Sequence, residues 1–131
     1  MFIDRLVNQG NTPLLEKMLS FTEARARLIG ENVANISVPG YRTKDISMSA
    51  FQKKLRERVA HRDASGNVKF DDIVAQIDQP GKGIVFHDKN NRSIEQIMTD
   101  MSSNGLRHNM YVELLRKQYN SIQSALKERV E

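Results

Sequence analysis

The chain has 131 residues, 20 Lys and Arg against 16 Asp and Glu, a formal net charge of +4, and neither cysteine nor tryptophan. That length suits one domain, or one domain with an appendage, and the missing cysteines exclude disulfides and thiolate chemistry. The cation excess is mild and spread along the sequence, which argues against a committed nucleic-acid binder; Lys53, Lys54, Arg56 and Arg58 form the one dense run, broken by Glu57.

The segment Met1-Phe2-Ile3-Asp4-Arg5-Leu6-Val7 lacks both a long apolar core and a small-residue cleavage site. It is not expected to act as a cleavable signal peptide. No apolar run approaches the roughly 18 residues of a membrane span, so a membrane-spanning chain is not expected. A first helix is predicted from Thr12, read as N-cap, with Pro13 at the first helical position where its missing N–H costs nothing. Leu15, Leu19, Thr22, Ala26, Ile29, Val33 and Ile36 then alternate in steps of four and three, the spacing of a helix–helix seam. Leu14, Met18, Phe21 and Leu28 widen that stripe on one flank and point to a second neighbour. Gly30 weakens the helix interior by about 1 kcal/mol relative to alanine.

The helix breaks at Asn32-Val33-Ala34-Asn35-Ile36-Ser37-Val38-Pro39-Gly40-Tyr41-Arg42. Pro39 disfavours helix at Val38, Gly40 accepts positive φ, and Asn32 and Asn35 share a face one turn apart, with amides able to serve the orphan groups of a helix end. Residues 43–60 carry a weaker helical stripe, Met48, Phe51, Leu55 and Val59, with the basic run on the wet side. From 61 to 92 turn signals dominate: Ser65-Gly66-Asn67, Gln79-Pro80-Gly81-Lys82-Gly83 and Lys89-Asn90-Asn91. Between them Val68-Lys69-Phe70 and Ile84-Val85-Phe86 are β-prone pieces with the composition of a small hairpin.

A second, longer helix opens at a capping box, Ser93-Ile94-Glu95-Gln96. Ile94, Met98, Met101, Gly105, His108, Val112, Leu115, Tyr119, Ile122 and Leu126 hold the four–three spacing to its end, a reach of about 50 Å. The predicted architecture is mainly α: the N- and C-terminal helices pair as an antiparallel coiled-coil-like unit around an irregular middle. The expected divisions are 1–46 for the first helix and corner, 47–92 for a variable, partly mobile middle, and 93–131 for the long helix.

No catalytic constellation emerges. His61, His87 and His108 are far apart and lack partners at metal spacing; His108 reads as an inter-helix histidine. Asp71-Asp72 reads as a solvated turn, and Gly81-Lys82-Gly83 lacks the leading glycine and the Ser/Thr of a phosphate loop. Asn35-Ile36-Ser37 and Asn91-Arg92-Ser93 fit a glycosylation pattern that chance often produces. No enzyme, cofactor or metal site is expected.

A seam helix ending in Asn-Val-Ala-Asn, then Pro-Gly-Tyr-Arg, resembles the N-terminal signature of bacterial flagellar basal-body rod proteins, and the run Pro39 to Ile46 looks like their proximal-rod member. Asp88-Lys89-Asn90 ahead of the long helix and Asn104-Gly105-Leu106-Arg107 within it are similar to that family's closing segment. The likeness covers residues 12–46 and 88–128. Val38 stands where the family has threonine, Val33 where it has isoleucine, and Arg92-Ser93 where Val-Asp is common.

The resemblance implies a structural subunit that assembles with copies and other axial proteins into the proximal rod, meeting the rod-base adaptor and the export gate; the alternatives are another rod protein of the same axial family and a small basic helical nucleic-acid binder using Lys53 to Arg58. It also implies export through the flagellar type III apparatus without a cleaved signal peptide, a location in the periplasmic rod, and no nucleic-acid partner. Interface residues expected on this reading are Leu14, Met18, Phe21 and Leu28 against neighbouring subunits, and Asn32, Asn35, Pro39, Gly40, Tyr41 and Arg42 at a fixed corner. Within the corner, Tyr41 and Arg42 would reach an adjacent subunit. Asn104, Leu106, Leu115, Tyr119 and Ile122 complete the set on the long helix.

Overall fold

The computed structural model describes residues 11–61, the backbone of 85–87, and 94–128. Its elements are α1 (Thr12–Asn35), β1 (Lys44–Ile46), α2 (Met48–Ala60), β2 (Val85–His87) and α3 (Ile94–Glu128). The fold is mainly α, as the periodicities predict.

Helix α1 carries two four–three stripes, and each finds its own partner. The predicted seam stripe meets α3 at Thr22; Ile29 in it is buried, while Ala26 and Ile36 of the same stripe are exposed. The neighbouring stripe, Leu14, Met18, Phe21, Arg25, Leu28 and Asn32, meets α2 and β1. Phe21 and Ala24 form a buried cluster with Ile46, Phe51 and Leu55, and Leu14, Met18, Leu28, Met48 and Val59 pack around it. Phe21 and Phe51 stack at 4.2 Å between ring centroids with 19° between planes. Each ring is removed completely from solvent, worth about 2–3 kcal/mol apiece relative to exposure. The flank of Leu14, Met18, Phe21 and Leu28, expected to bury against neighbouring subunits, therefore finds its first cover inside the chain.

Helix α2 forms where its stripe predicts. Ser47 caps it, its hydroxyl accepting from Ala50 N–H at 3.2 Å. At its far end Arg58 sits in the last turn and His61 N–H closes onto Glu57 and Arg58 carbonyls. Phe51 and Leu55 point inward, while Lys53, Arg56, Glu57 and Arg58 are exposed. The basic run is thus a solvated face of mixed charge.

Helices α1 and α3 run antiparallel, since Glu16 meets Tyr119 while Thr22, further along α1, meets Asn104 and His108, earlier along α3. The buried face of α3 is Ile97, Asn104 and Tyr111, rotated from the predicted seam. Ile94, Met98 and Met101, expected in that seam, are 44%, 45% and 56% exposed. Of the predicted seam, His108, Val112, Leu115, Ile122 and Leu126 are half-buried.

Two details differ from expectation. The N-cap of α1 is Asn11, which makes no side-chain cap bond, with Pro13 just inside the first turn. Thr12 is 1% exposed, so its side chain faces the interior instead of folding back on the helix end. Secondly, β2 pairs antiparallel with β1, in register Lys44↔His87, Asp45↔Phe86 and Ile46↔Val85. The β-prone run around Val85 thus finds its partner directly after the corner, where the chain is already held extended. Val68–Phe70 and the Ser93 cap lie outside the described residues, as does most of the segment expected to be mobile.

Candidate functional site

The corner after α1 is built from consecutive turns. Val38 N–H donates to Asn35 O at 3.0 Å, and Tyr41 N–H donates to Val38 O at 3.2 Å. Val38-Pro39-Gly40-Tyr41 is therefore a hydrogen-bonded β-turn. Proline presets φ at its second position, and Gly40 holds φ = +77° at its third, as a type II turn requires. Nothing lies within 4 Å of where a Gly40 Cβ would stand. The glycine serves backbone conformation, not space.

What fixes this turn to the body is Asn32, 5% exposed. Its Nδ2 donates to Lys44 O at 2.6 Å, and its Oδ1 accepts from Lys44 N–H at 2.9 Å. One side-chain amide thus pairs with both backbone groups of Lys44 as a third strand would, closing the edge of β1 that β2 leaves free. The same Oδ1 accepts from the Tyr41 hydroxyl at 3.2 Å. Burial, and secondarily the charge of Glu31, push the Tyr41 phenol above its ordinary range. Asn35, identical in type and one turn on, only shares its own helix: its Nδ2 donates to Glu31 O at 2.8 Å. Asn32 is thus a strand anchor instead of a helix-end cap, and Tyr41 turns back onto it instead of reaching outward.

A second clamp lies beside it. Arg25 Nε and Nη2 donate to Asp45 Oδ1 and Oδ2 at 2.9 and 3.0 Å, with the side chains 12% and 11% exposed. Asp45 Oδ1 also accepts from Ile46 N–H at 2.8 Å. This bidentate pair was not singled out from sequence. Its signal was available: Arg25 and Asn32 are the two polar members of the otherwise apolar stripe that runs from Leu14. A charged residue in such a stripe calls for a buried counter-ion.

Around the clamps the surface is open. Ile36 and Val38 are 39% and 49% exposed, and Ser37, Pro39, Gly40 and Arg42 are exposed. On α3, Asn104 is buried, its Nδ2 donating to Thr22 O at 2.8 Å while its Oδ1 has no partner. The Thr22 hydroxyl donates to Leu19 O at 2.7 Å, which leaves it to accept from His108 Nδ1–H at 3.1 Å. The centre of the α1–α3 seam is therefore polar. Tyr119 donates to Glu16 Oε1 at 3.0 Å; burial, then that bond and the Glu16 charge, raise its pKa. Leu106 is 72% exposed, in line with Met110 at 49% and Leu114 at 44%.

The structure brings Asn32, Pro39, Gly40 and Tyr41 together in the corner. It places Phe21 in the core cluster, with Leu14, Met18 and Leu28 packed around it, and leaves Leu106 apart on α3. Among the described residues no cluster of His, Cys, Asp and Glu is arranged to hold a metal. No described helix is long and apolar enough to cross a membrane.

Two curated proteins are similar to this chain over nearly its whole length. The flagellar basal body rod protein FlgB of Bacillus subtilis (strain 168) is 26% identical over 123 residues, covering 89% of this chain and 93% of that protein. FlgB of Aquifex aeolicus (strain VF5) is 24% identical over 119 residues, covering 90% and 94%. No family model and no solved structure gives a significant match.

Proposed function

We propose that this chain is a structural, non-enzymatic subunit of the bacterial flagellar basal-body rod, at the proximal tier that the resemblance over Pro39 to Ile46 implies. The observation that carries the reading is the end-to-end likeness to two FlgB proteins, more than nine-tenths of each being spanned. The corner supports it. Asn32, Pro39, Gly40 and Tyr41, the residues of the resemblance, form a clamped turn that presents Ile36, Val38 and Arg42 outward. Two short strands and a side-chain amide make the corner rigid, which suits a part that transmits load between subunits.

The partners on this reading are copies of the chain, other rod subunits, the rod-base adaptor and the export gate. Export would use the flagellar type III apparatus, without a cleaved signal peptide, to a periplasmic rod. The stripe Ile94, Met98 and Met101 on α3, exposed in the single chain, supplies apolar surface for coiled-coil-like packing in the assembled tube.

Electron cryo-tomography of basal bodies in a strain lacking this chain tests the proposal. Membrane rings without a rod above them are expected. Complete rods and filaments in that strain would overturn it.

A further inference from the structure

The α1–α3 seam repeats by heptads on both helices. On α3 the buried residues are Ile97, Asn104 and Tyr111; on α1 the line through Thr22 reads Leu15, Thr22 and Ile29. With the helices antiparallel and Asn104 at Thr22, the levels one heptad away set Leu15 with Tyr111 and Ile29 with Ile97. Apolar levels of this kind are nearly indifferent to a slide of one heptad, about 10 Å, which exchanges each for the next. The middle level is the exception. Thr22 is the lone polar member of the α1 stripe from Leu15 to Ile36. It is completely buried, and Asn104 is 2% exposed.

Asn104 Nδ2 donates to Thr22 O at 2.8 Å, and His108, one turn on, donates from Nδ1–H to the Thr22 hydroxyl at 3.1 Å. Neither Thr22 group depends on these bonds. Its carbonyl lies inside α1, where Ala26 N–H is the regular helix partner. Its hydroxyl already donates to Leu19 O at 2.7 Å. Asn104 Oδ1, meanwhile, is buried with no partner, a penalty that an apolar side chain at 104 would not carry. What the level supplies is a cost for misalignment. A slide of one heptad carries Asn104 and His108 to Leu15 or Ile29, neither of which has a hydroxyl, and sets Thr22 against Tyr111 or Ile97. One buried polar position within an apolar repeat selects a single register at some expense in stability.

We infer that the Thr22–Asn104–His108 level is the register lock of the α1–α3 pair. It fixes which heptad of α3 meets which heptad of α1, and so how far the last turns of α3 run past the start of α1. From Thr22 back to Thr12, the same distance along α3 reaches the residues before Tyr119, while α3 continues to Glu128. The overhang is about 15 Å, and a slide of one heptad would change it by about 10 Å. The lock is a property of the single chain and goes beyond the rod reading. If that reading holds, every copy must present its helix ends at one height, which a sliding pair does not do.

The absence of native cysteine makes the register measurable. Spin labels on Glu23→Cys and Ser124→Cys, both exposed, report the axial offset of the two helices by pulsed dipolar spectroscopy. The purified full chain is diluted with unlabelled chain, so that only distances within one molecule count. The parent should give a single distance. Thr22→Val with Asn104→Leu and His108→Leu strands no polar group of the seam, so its urea midpoint should not fall. Its distance distribution should gain a second population, displaced by about 10 Å and holding about one molecule in ten or more. Asn104→Leu alone removes the unpaired Oδ1 and should hold or raise the midpoint. A triple variant that keeps the single parent distance would overturn the inference. So would a midpoint lowered by about 1 M or more in either variant, which would assign the level to stability instead of register. The test needs no flagellum, so its failure leaves the rod reading standing, and failure of the rod reading leaves the lock measurable.

Discussion

Asn32 and Asn35 are the same residue type, one turn apart at the end of the same helix, yet they are expected to differ severalfold in their effect on stability. Asn32→Ala removes the partner of both Lys44 backbone groups, which sit 2.6 and 2.9 Å from the amide. A donor or acceptor stranded away from water costs about 1–3 kcal/mol. Lys44 is half-buried, so the lower part of that range applies to each group and the total is about 2–3 kcal/mol. Asn35→Ala forfeits one exposed bond to Glu31 O, a carbonyl already within the helix, and should cost under about 0.5 kcal/mol. Urea unfolding of the purified chain, followed by far-UV circular dichroism, reads the contrast. The Asn32→Ala midpoint should fall by more than about 1 M, while Asn35→Ala stays close to the parent. Equal shifts for the two variants would refute the reasoning that Asn32 acts as a surrogate strand.

Three further outcomes follow from the same geometry. Gly40→Val places a β-branched side chain at φ = +77° with no steric neighbour; the strain, about 1–2 kcal/mol, should loosen the corner, leave soluble expression intact and abolish swimming when supplied to a deletion strain. Motility restored by that variant would count against the corner as an assembly element. Arg25→Met removes the bidentate cationic partner of the buried Asp45 carboxylate, so the urea-derived stability should drop by about 3 kcal/mol; a loss under 1 kcal/mol would mean that the pair is solvated. Finally, Tyr41 and Tyr119 both have raised pKa values, so the folded state holds their protons more tightly than the unfolded state. Their contribution is fully present below about pH 10 and is lost as pH rises through the folded values. Thermal unfolding between pH 9 and 11.5 should show a fall in Tm that Tyr41→Phe with Tyr119→Phe makes shallower, and an unchanged slope would contradict the assigned burial.

Much of this fold was written in periodicity and punctuation. The stripes of α1, α2 and α3 follow from apolar spacing, because burial against a neighbouring helix needs side chains every three or four residues. The Pro39-Gly40 turn follows from two residues with unusual backbone limits, a property each carries in any context. Tertiary structure decided which side chains those stripes meet. A 3.6-residue period leaves a broad apolar sector, so the seam of α3 could turn toward Ile97, Asn104 and Tyr111 and leave Ile94, Met98 and Met101 outside without breaking the pattern. Only packing covered the Leu14–Leu28 flank with α2, and only the return of the chain along α1 brought Asp45 to Arg25 and Lys44 to Asn32. Local sequence sets where a helix begins, bends and ends, because those costs are paid within a few bonds. The choice of partner across 12 or 20 residues belongs to the folded whole, where burial and hydrogen bonding of distant segments are satisfied together.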